Sequence, residues 1–203
     1  MSQIKLLHSG GNGVILSAPD SNPASDRTLK LPGDGDGTVD TLSRAGNILQ
    51  VKNVTKTDTF SSSLSDYSAA SITGMDLAFT ASSTSNRLFF QININICVST
   101  NNRPVAFFLV ADGTKIDAAT GNAASNRYRS TASGLVDYQS TMELLQMNYY
   151  HTPTSTNSIT YGIKIQNSHD STNTLYINRT ATDSDTQFFH RAISSMTIME
   201  VAA

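Results

Sequence analysis

Charged residues are scarce in this sequence. They make up 15% of its 203 residues, whereas about a quarter is usual in soluble domains. Lys and Arg total 14 against 16 Asp and Glu, and the resulting net charge of −2 provides no basic surface for a polyanion. We therefore expect a polar, largely uncharged surface built from the abundant Ser, Thr and Asn, and no nucleic-acid partner.

Cysteine and long apolar runs are also lacking. Cys97 is the single cysteine, which excludes an intrachain disulfide and hence a disulfide-stapled secreted domain. No apolar run approaches the roughly 20 residues that a membrane-spanning helix needs, so we expect no membrane insertion. The N-terminus lacks the basic and then apolar layout of a signal peptide. These absences predict synthesis in a cytoplasm.

Motifs for catalysis or metal binding are missing as well. The acidic stretch GDGDGTVD, residues 33–40, lacks the spacing of an EF-hand and predicts a plain turn. No G-x-S-x-G elbow and no paired-carboxylate motif occurs. The histidines, at positions 8, 151, 169 and 190, have no ligand spacing. We expect no enzyme, no metal and no cofactor.

The chain changes character near residue 50. Residues 1–49 contain three of the five prolines and many glycines, which indicates an irregular, turn-rich arm or stalk. Longer alternating runs begin after that point. We therefore predict two parts: an N-terminal attachment arm, residues 1–49, and a C-terminal head domain, residues 50–203.

The clearest alternation is NRLFFQININICVST, residues 86–100. Its apolar face is predicted to contain Leu88, Phe90, Ile92, Ile94, Ile96 and Val98. Its other face is predicted to contain Phe89, Gln91, Asn93, Asn95 and Cys97. A period of two sustained this long predicts a β-strand with one buried face. The uncharged Asn face is either wetted or meets another polar sheet face across an interface.

About eight strands are expected in all. They cover residues 50–60, 69–80, 86–100, 103–111, 140–151, 158–166, 173–179 and 192–202. A short helix competes with a strand over residues 140–151, because Met, Glu, Leu and Gln favour helices. The pattern predicts an all-β, antiparallel, eight-stranded jelly-roll-like sandwich. An immunoglobulin-like sandwich is the alternative, although the sequence has no Cys-Trp-Cys core.

One loop-like stretch, residues 125–139, is rich in Arg and Tyr. It contains Arg127, Tyr128, Arg129 and Tyr138. Both residue types are favoured in recognition sites, and loops on rigid sheets carry function. These four residues are the candidate contacts for a partner, a receptor or a host-surface glycan.

Several motifs in order resemble structural proteins of tailed phages of marine and freshwater bacteria, cyanophages among them. They are GNGVILSAPDSNPASDRTLKLPG, TLSRAGNILQV, KTDTFSSS, ASSTSNRLFFQI, LYINRT and ISSMTIMEVA. The resemblance covers nearly the whole chain. It implies a virion appendage such as a tail fibre, a head fibre or a capsid decoration, which typically assembles as a trimer, and it carries no catalytic residues. The chain is short for a long tail fibre.

The N-terminal apolar residues are too few to enclose a core within one chain. They are Val14, Ile15, Leu16, Leu29 and Leu31. Three chains around one axis would bury them together, at roughly 1.5–3 kcal/mol for each side chain. Alternatively, the segment docks on another virion protein of the capsid or tail. The leading hypothesis is a trimeric structural protein of a virion, and its rivals are a receptor- or glycan-binding tip module and a polysaccharide-degrading enzyme.

Overall fold

The computed structural model describes residues 3–7, 9–11, 13–17 and 44–203. The chain divides into two compact units, Met1–Asp40 and Thr41–Ala203. In the first unit, β1 (Gln3–Leu7) and β2 (Gly13–Ser17) form an antiparallel hairpin. Three of the N-terminal candidate residues, Val14, Ile15 and Leu16, lie on β2, whereas Leu29 and Leu31 lie outside the described residues.

The second unit is built almost entirely of strands. In chain order they are β3 (Ile48–Lys56), β4 (Phe60–Leu64), β5 (Ala69–Ser71), β6 (Leu77–Thr80), β7 (Arg87–Val98), β8 (Arg103–Ala111), β9 (Thr114–Lys115), β10 (Ala132–Val136), β11 (Glu143–His151), β12 (Ser158–Asn167), β13 (Asn173–Ile177) and β14 (Ser194–Val201). One 3-10 turn, Asp117–Ala119, follows β9. Residues 140–151 therefore contain a strand and not the competing helix.

Two sheets of six strands each pack face to face, and every strand pairing is antiparallel. Several strands lie end to end along one neighbour. For example, β14 pairs with one half of β7 and β13 with the other half, so together they occupy a single row. Counted in such rows, the first sheet runs β3/β4, β13/β14, β7, β11, and the second runs β5/β6, β12, β8, β9/β10.

This arrangement confirms the predicted jelly-roll-like sandwich. When the rows are numbered along the chain, each sheet contains four of the eight in the interleaved order of a jelly roll, 1-8-3-6 and 2-7-4-5. The number of separate strands exceeds eight because four rows are interrupted. Short Ser- and Gly-rich strands such as β4 and β10 lack the apolar alternation that reveals a strand in a sequence.

The core lies between the two sheets. All six residues of the predicted apolar face of β7 are fully buried. Across the interior they meet residues of the second sheet, among them Phe107 and Leu109 on β8 and Ile163 on β12. Burial of each such side chain contributes roughly 1.5–3 kcal/mol, so this interface between sheets holds the domain together.

One residue departs from the predicted faces of β7. Cys97 was expected on the polar side, but it is fully buried, and its thiol lies 3.4 Å from the carbonyl oxygen of Gln139. The segment that precedes β11 covers this end of the outer face. Burial raises the pKa of the Cys97 thiol, which keeps it protonated and unreactive.

The sandwich begins slightly before residue 50. Strand β3 starts at Ile48, and the Gly46 amide donates a hydrogen bond to the Ala202 carbonyl at 2.9 Å. The Ala202 amide in turn donates to the carbonyl of Asn47 at 2.9 Å. Residues 46 and 47 are thus joined to the C-terminal end of the same sheet.

Candidate functional site

A groove of about 770 Å³ lies on the outer side of the second sheet. Its floor is a rank of three residues that are direct partners across adjacent strands: Ser133 on β10, Ala106 on β8 and Gln166 on β12. Two of these side chains are small. The floor is therefore a depression between the loops that rise on either side.

Two tyrosines form one wall of this groove, which we call the tyrosine groove. The rings of Tyr67 and Tyr128 stack with their centroids 4.5 Å apart and an angle of 9° between the planes. Tyr67 belongs to the turn before β5, and Tyr128 belongs to the loop before β10. The stack joins residues that are far apart in the sequence. It fixes the loop over the sheet.

Tyr67 is held in a strained backbone conformation. Its φ angle is 48°, in the left-handed region that bulky residues seldom adopt. The turn is closed by a hydrogen bond from the Ser68 amide to the Ser65 carbonyl at 3.1 Å. Strain of this kind persists only where neighbouring groups enforce it, and it clusters at functional sites.

Strand β12 supplies the groups that enforce this turn. Gln166 donates from Nε2 to the Tyr67 carbonyl at 2.9 Å, and Asn167 donates from Nδ2 to the Leu64 and Ser65 carbonyls at 3.0 and 3.2 Å. Gln166 is only 4% exposed. Its other amide atom, Oε1, is buried and has no hydrogen-bond partner among the described residues.

The loop that bears Tyr128 contributes the single charged side chain that lines the groove among the described residues. Asn126, Arg127 and Tyr128 all line it. The preceding residue, Ser125, also has a left-handed φ angle of 51°, and the Arg127 amide closes a turn by donating to the Ala124 carbonyl at 3.1 Å. No acidic residue lines the groove within the part of the chain that the structure describes.

The four residues predicted as contacts are divided by the structure. Arg127 and Tyr128 line the groove. Arg129 instead stabilises the loop itself, because its guanidinium donates hydrogen bonds to the carbonyls of Gly121 and Asp117 at 2.6 and 2.9 Å. Tyr138 is 61% exposed and is not part of the groove.

The sequence reasoning missed Tyr67 and Gln166. Both lie outside the Arg- and Tyr-rich stretch, and Gln166 sits within an ordinary strand pattern. Only the pairing of β12 with β8 and β5 brings Gln166 to the floor and Tyr67 beside it. No local signal marks either residue.

A second polar cluster lies at the end of the first sheet around Glu200, which is fully buried. Its carboxylate accepts hydrogen bonds from Gln50 Nε2 (2.6 Å), Asn86 Nδ2 (2.7 Å), and the Ser82 amide and hydroxyl (2.8 and 2.7 Å). Burial opposes ionisation, but these hydrogen bonds outweigh it and lower the pKa of Glu200 to about 2. Every donor comes from the protein, so the cluster has a structural role: it joins Gln50, Ser82 and Asn86 to β14.

The described part of the chain contains no candidate metal centre and one histidine with a lowered pKa. No set of three or more His, Cys, Asp or Glu side chains is placed to hold a metal ion there. Burial lowers the pKa of His151, which packs edge-on against Tyr161 with ring centroids 5.7 Å apart. The His151 ring also lies near the rings of Phe90 and Tyr149.

Comparison with known proteins finds matches among solved structures. No protein-family model and no curated protein matches the sequence. Eleven chains of solved structures match. One belongs to the "Structure of infectious bursal disease virus Gx strain"; it is 15% identical, with a TM-score of 0.39, and the match covers 87% of this chain and 41% of that one. This chain therefore spans less than half the length of that neighbour.

Within the described residues, no helix has the length and apolar character needed to cross a membrane.

Proposed function

We propose that this chain is a structural protein of a tailed-phage virion. It forms a trimeric short fibre, spike or capsid decoration, in which residues 1–49 anchor the protein to other virion proteins and the jelly-roll head is exposed. The sequence motifs quoted above support the virion assignment. The surface of the first sheet supports self-association.

The observation that carries this proposal is a broad sheet face without charge. Three ranks of cross-strand partners cover the outer side of β11, β7, β14 and β3. They are Tyr150, Phe89, Met199, Val51; then Asn148, Gln91, Thr197, Asn53; then Gln146, Asn93, Ser195, Thr55. We call these twelve residues the uncharged face.

The uncharged face is suited to contact with another copy of the chain. Cores of protein interfaces are depleted of charged residues, because each buried charge must be desolvated. One edge of the face is apolar, and two of its side chains, Tyr150 and Val51, are 51% and 54% exposed. The ring centroids of Tyr150 and Phe89 lie 4.9 Å apart. The neighbouring amides of Asn and Gln can both donate and accept hydrogen bonds across a contact between subunits.

Light scattering on two chains tests this proposal. The full chain should have a mass of about 65 kDa, three times 21.8 kDa. The shortened chain should start at residue 44, because Gly46 is already hydrogen-bonded to the end of the sandwich. A trimer in both chains places assembly in the head, and a trimer lost on shortening places it in residues 1–43. A monomer in both would refute the trimer.

A second function, attachment to a host surface, is favoured by the tyrosine groove. Aromatic rings beside uncharged hydrogen-bonding groups are typical of sites that bind a ligand through both apolar and polar contacts. An isolated head that adsorbs to host cells, and that loses adsorption on Tyr128→Ala, would support this function. Absence of adsorption by the native protein would refute it.

A further inference from the structure

We propose that the tyrosine groove binds an acidic polysaccharide, with the Tyr128 ring stacked on a sugar and the Arg127 guanidinium paired with the sugar's carboxylate. This inference deepens the second function proposed above and rests on it. It assigns the ligand class and the residues that select it.

The aromatic wall provides a rigid apolar platform. Tyr67 covers one face of Tyr128, yet Tyr128 remains 61% exposed. A pyranose ring presents a face of C–H bonds that packs on an aromatic ring, while its hydroxyls point sideways. Tyrosine supplies such contact area at a low cost in conformational entropy, and here the stack on Tyr67 restrains the ring further.

The charge of the groove indicates an acidic sugar. Among the described residues, Arg127 is the single charged residue of the lining, and its guanidinium forms no ion pair or side-chain hydrogen bond with them. Arg129, two positions along, has both kinds of contact. A free guanidinium matches the geometry of a carboxylate, to which it donates two parallel hydrogen bonds.

The floor carries polar side chains, Gln166 and Ser133. Gln166 is fixed by its Nε2 bond to the Tyr67 carbonyl, and its buried Oε1 lacks a donor within the described part of the chain. A buried polar atom without a partner costs about 1–3 kcal/mol. Ser133 adds a hydroxyl on the same rank, on the far side of Ala106. A polyhydroxylated ligand supplies hydrogen-bonding groups for the polar side chains of this floor.

The strained turn at Tyr67 is consistent with a preorganised site. The side-chain amide of Gln166 holds the carbonyl of Tyr67, whose φ angle is unfavourable and whose ring supports Tyr128. A site held in its binding conformation before the ligand arrives avoids the entropic cost of ordering it later.

A printed panel of uronate-containing bacterial capsular and extracellular polysaccharides tests the inference. Each polysaccharide is printed in its native form and in a form whose carboxyl groups have been reduced to alcohols. The full-length protein should bind at least one native polysaccharide and lose binding by about tenfold or more on carboxyl reduction. Binding should also weaken as salt concentration rises, because the ion pair is solvent-exposed.

Substitutions locate the binding on the protein. Tyr128→Ala and Arg127→Gln should each reduce binding about tenfold or more. Tyr138→Ala and Arg87→Gln are the matched controls, because Tyr138 is as exposed as Tyr128, Arg87 is exposed, and neither residue lines the groove. Both controls should bind as the native protein does. Melting temperature and mass in solution are measured on each sample, so that loss of binding is distinguished from loss of folding or assembly.

Three results would overturn the inference. They are no binding to any uronate-containing polysaccharide, equal binding to native and carboxyl-reduced forms, and equal losses in the groove variants and their controls. None of these results bears on the proposed virion role, which depends on the mass measurement. Binding to neutral glycans alone that is lost in Tyr128→Ala would overturn the acidic ligand and still support surface attachment.

Discussion

The hydroxyl of Ser194 donates a hydrogen bond at 2.7 Å to the side-chain oxygen of Asn178, sixteen positions earlier in the chain. Asn178 follows β13 and Ser194 begins β14. The bond therefore joins the two ends of the loop between β13 and β14, which interrupts this row of the first sheet. The side-chain nitrogen of Asn178, Nδ2, donates to the carbonyls of Lys56 and Asp58, at 2.8 and 2.9 Å. These two residues lie where the adjacent row is interrupted between β3 and β4.

Asn178→Ala should strongly destabilise the head. Asn178 is fully buried with a left-handed φ angle of 62°, so alanine would remove three hydrogen bonds and keep an unfavourable backbone. We expect a loss of about 2–4 kcal/mol in the free energy of unfolding, measured by urea denaturation. The control is Asn102→Ala, where φ is 54° but the residue is exposed. Equal losses in the two variants would show that the backbone conformation alone is responsible.

Glu200 should make the head sensitive to acid. Its pKa is about 2 in the folded protein and 4.5 in an unperturbed chain, so its stabilisation is complete above pH 4.5 and is lost as the pH falls towards 2. The full effect is up to about 3 kcal/mol. In Glu200→Gln this part of the pH dependence should disappear, as followed by urea denaturation between pH 7 and 3. Glu143→Gln serves as the control, and an unchanged slope in Glu200→Gln would contradict the prediction.

Gly134→Ala should overpack the interior. A Cβ atom at Gly134 on β10 would lie 2.7 Å from Cδ2 of Leu145, which is buried on β11. The leucine must shift within a packed core, so we expect a loss of about 1–3 kcal/mol in thermal or urea unfolding. Gly121→Ala is the matched control, because a Cβ atom there meets nothing within 4 Å. If the clash is the cause, Gly134→Ala should cost less in a Leu145→Ala background than in the native protein.

Charge placed on the uncharged face should weaken the oligomer. Gln91→Glu with Asn93→Asp adds two carboxylates at its centre, and in a trimer six of them would have to be desolvated. We expect the trimer to dissociate at concentrations where the native protein stays assembled, as measured by light scattering. Asn95 is left unchanged, because its Nδ2 donates to the Ile193 carbonyl at 2.7 Å within the same chain.

The control for this variant is Ser71→Asp with Ser158→Asp, which adds the same charge to exposed positions of the second sheet. This control should remain a trimer with native stability. If both double variants keep the native mass, the uncharged face is not the contact.

The fold was largely predictable because period-two alternation reports burial directly. The β7 run shows this clearly, because each of its six predicted inward residues is buried. The predicted runs fall in seven of the eight rows: the β9/β10 row was missed, and the last two runs, β13 and β14, share one row. The interruptions were not predictable, because residues 57–59 and the loop that follows Asn178 resemble ordinary loops. Their role as breaks within one row depends on hydrogen bonds to a distant strand.

By itself, the sequence determined the β-rich sandwich, the low surface charge, and the presence of Arg and Tyr in the loop before β10. The tertiary structure alone decided that Tyr128 meets Tyr67, that Gln166 lies beneath them, and that Arg129 fastens the loop while Arg127 is left free. Alternation is a local property of a strand, so it can be read from neighbouring residues. A groove is formed by residues that strand pairing brings together over long stretches of chain, and no local pattern encodes which partners will meet.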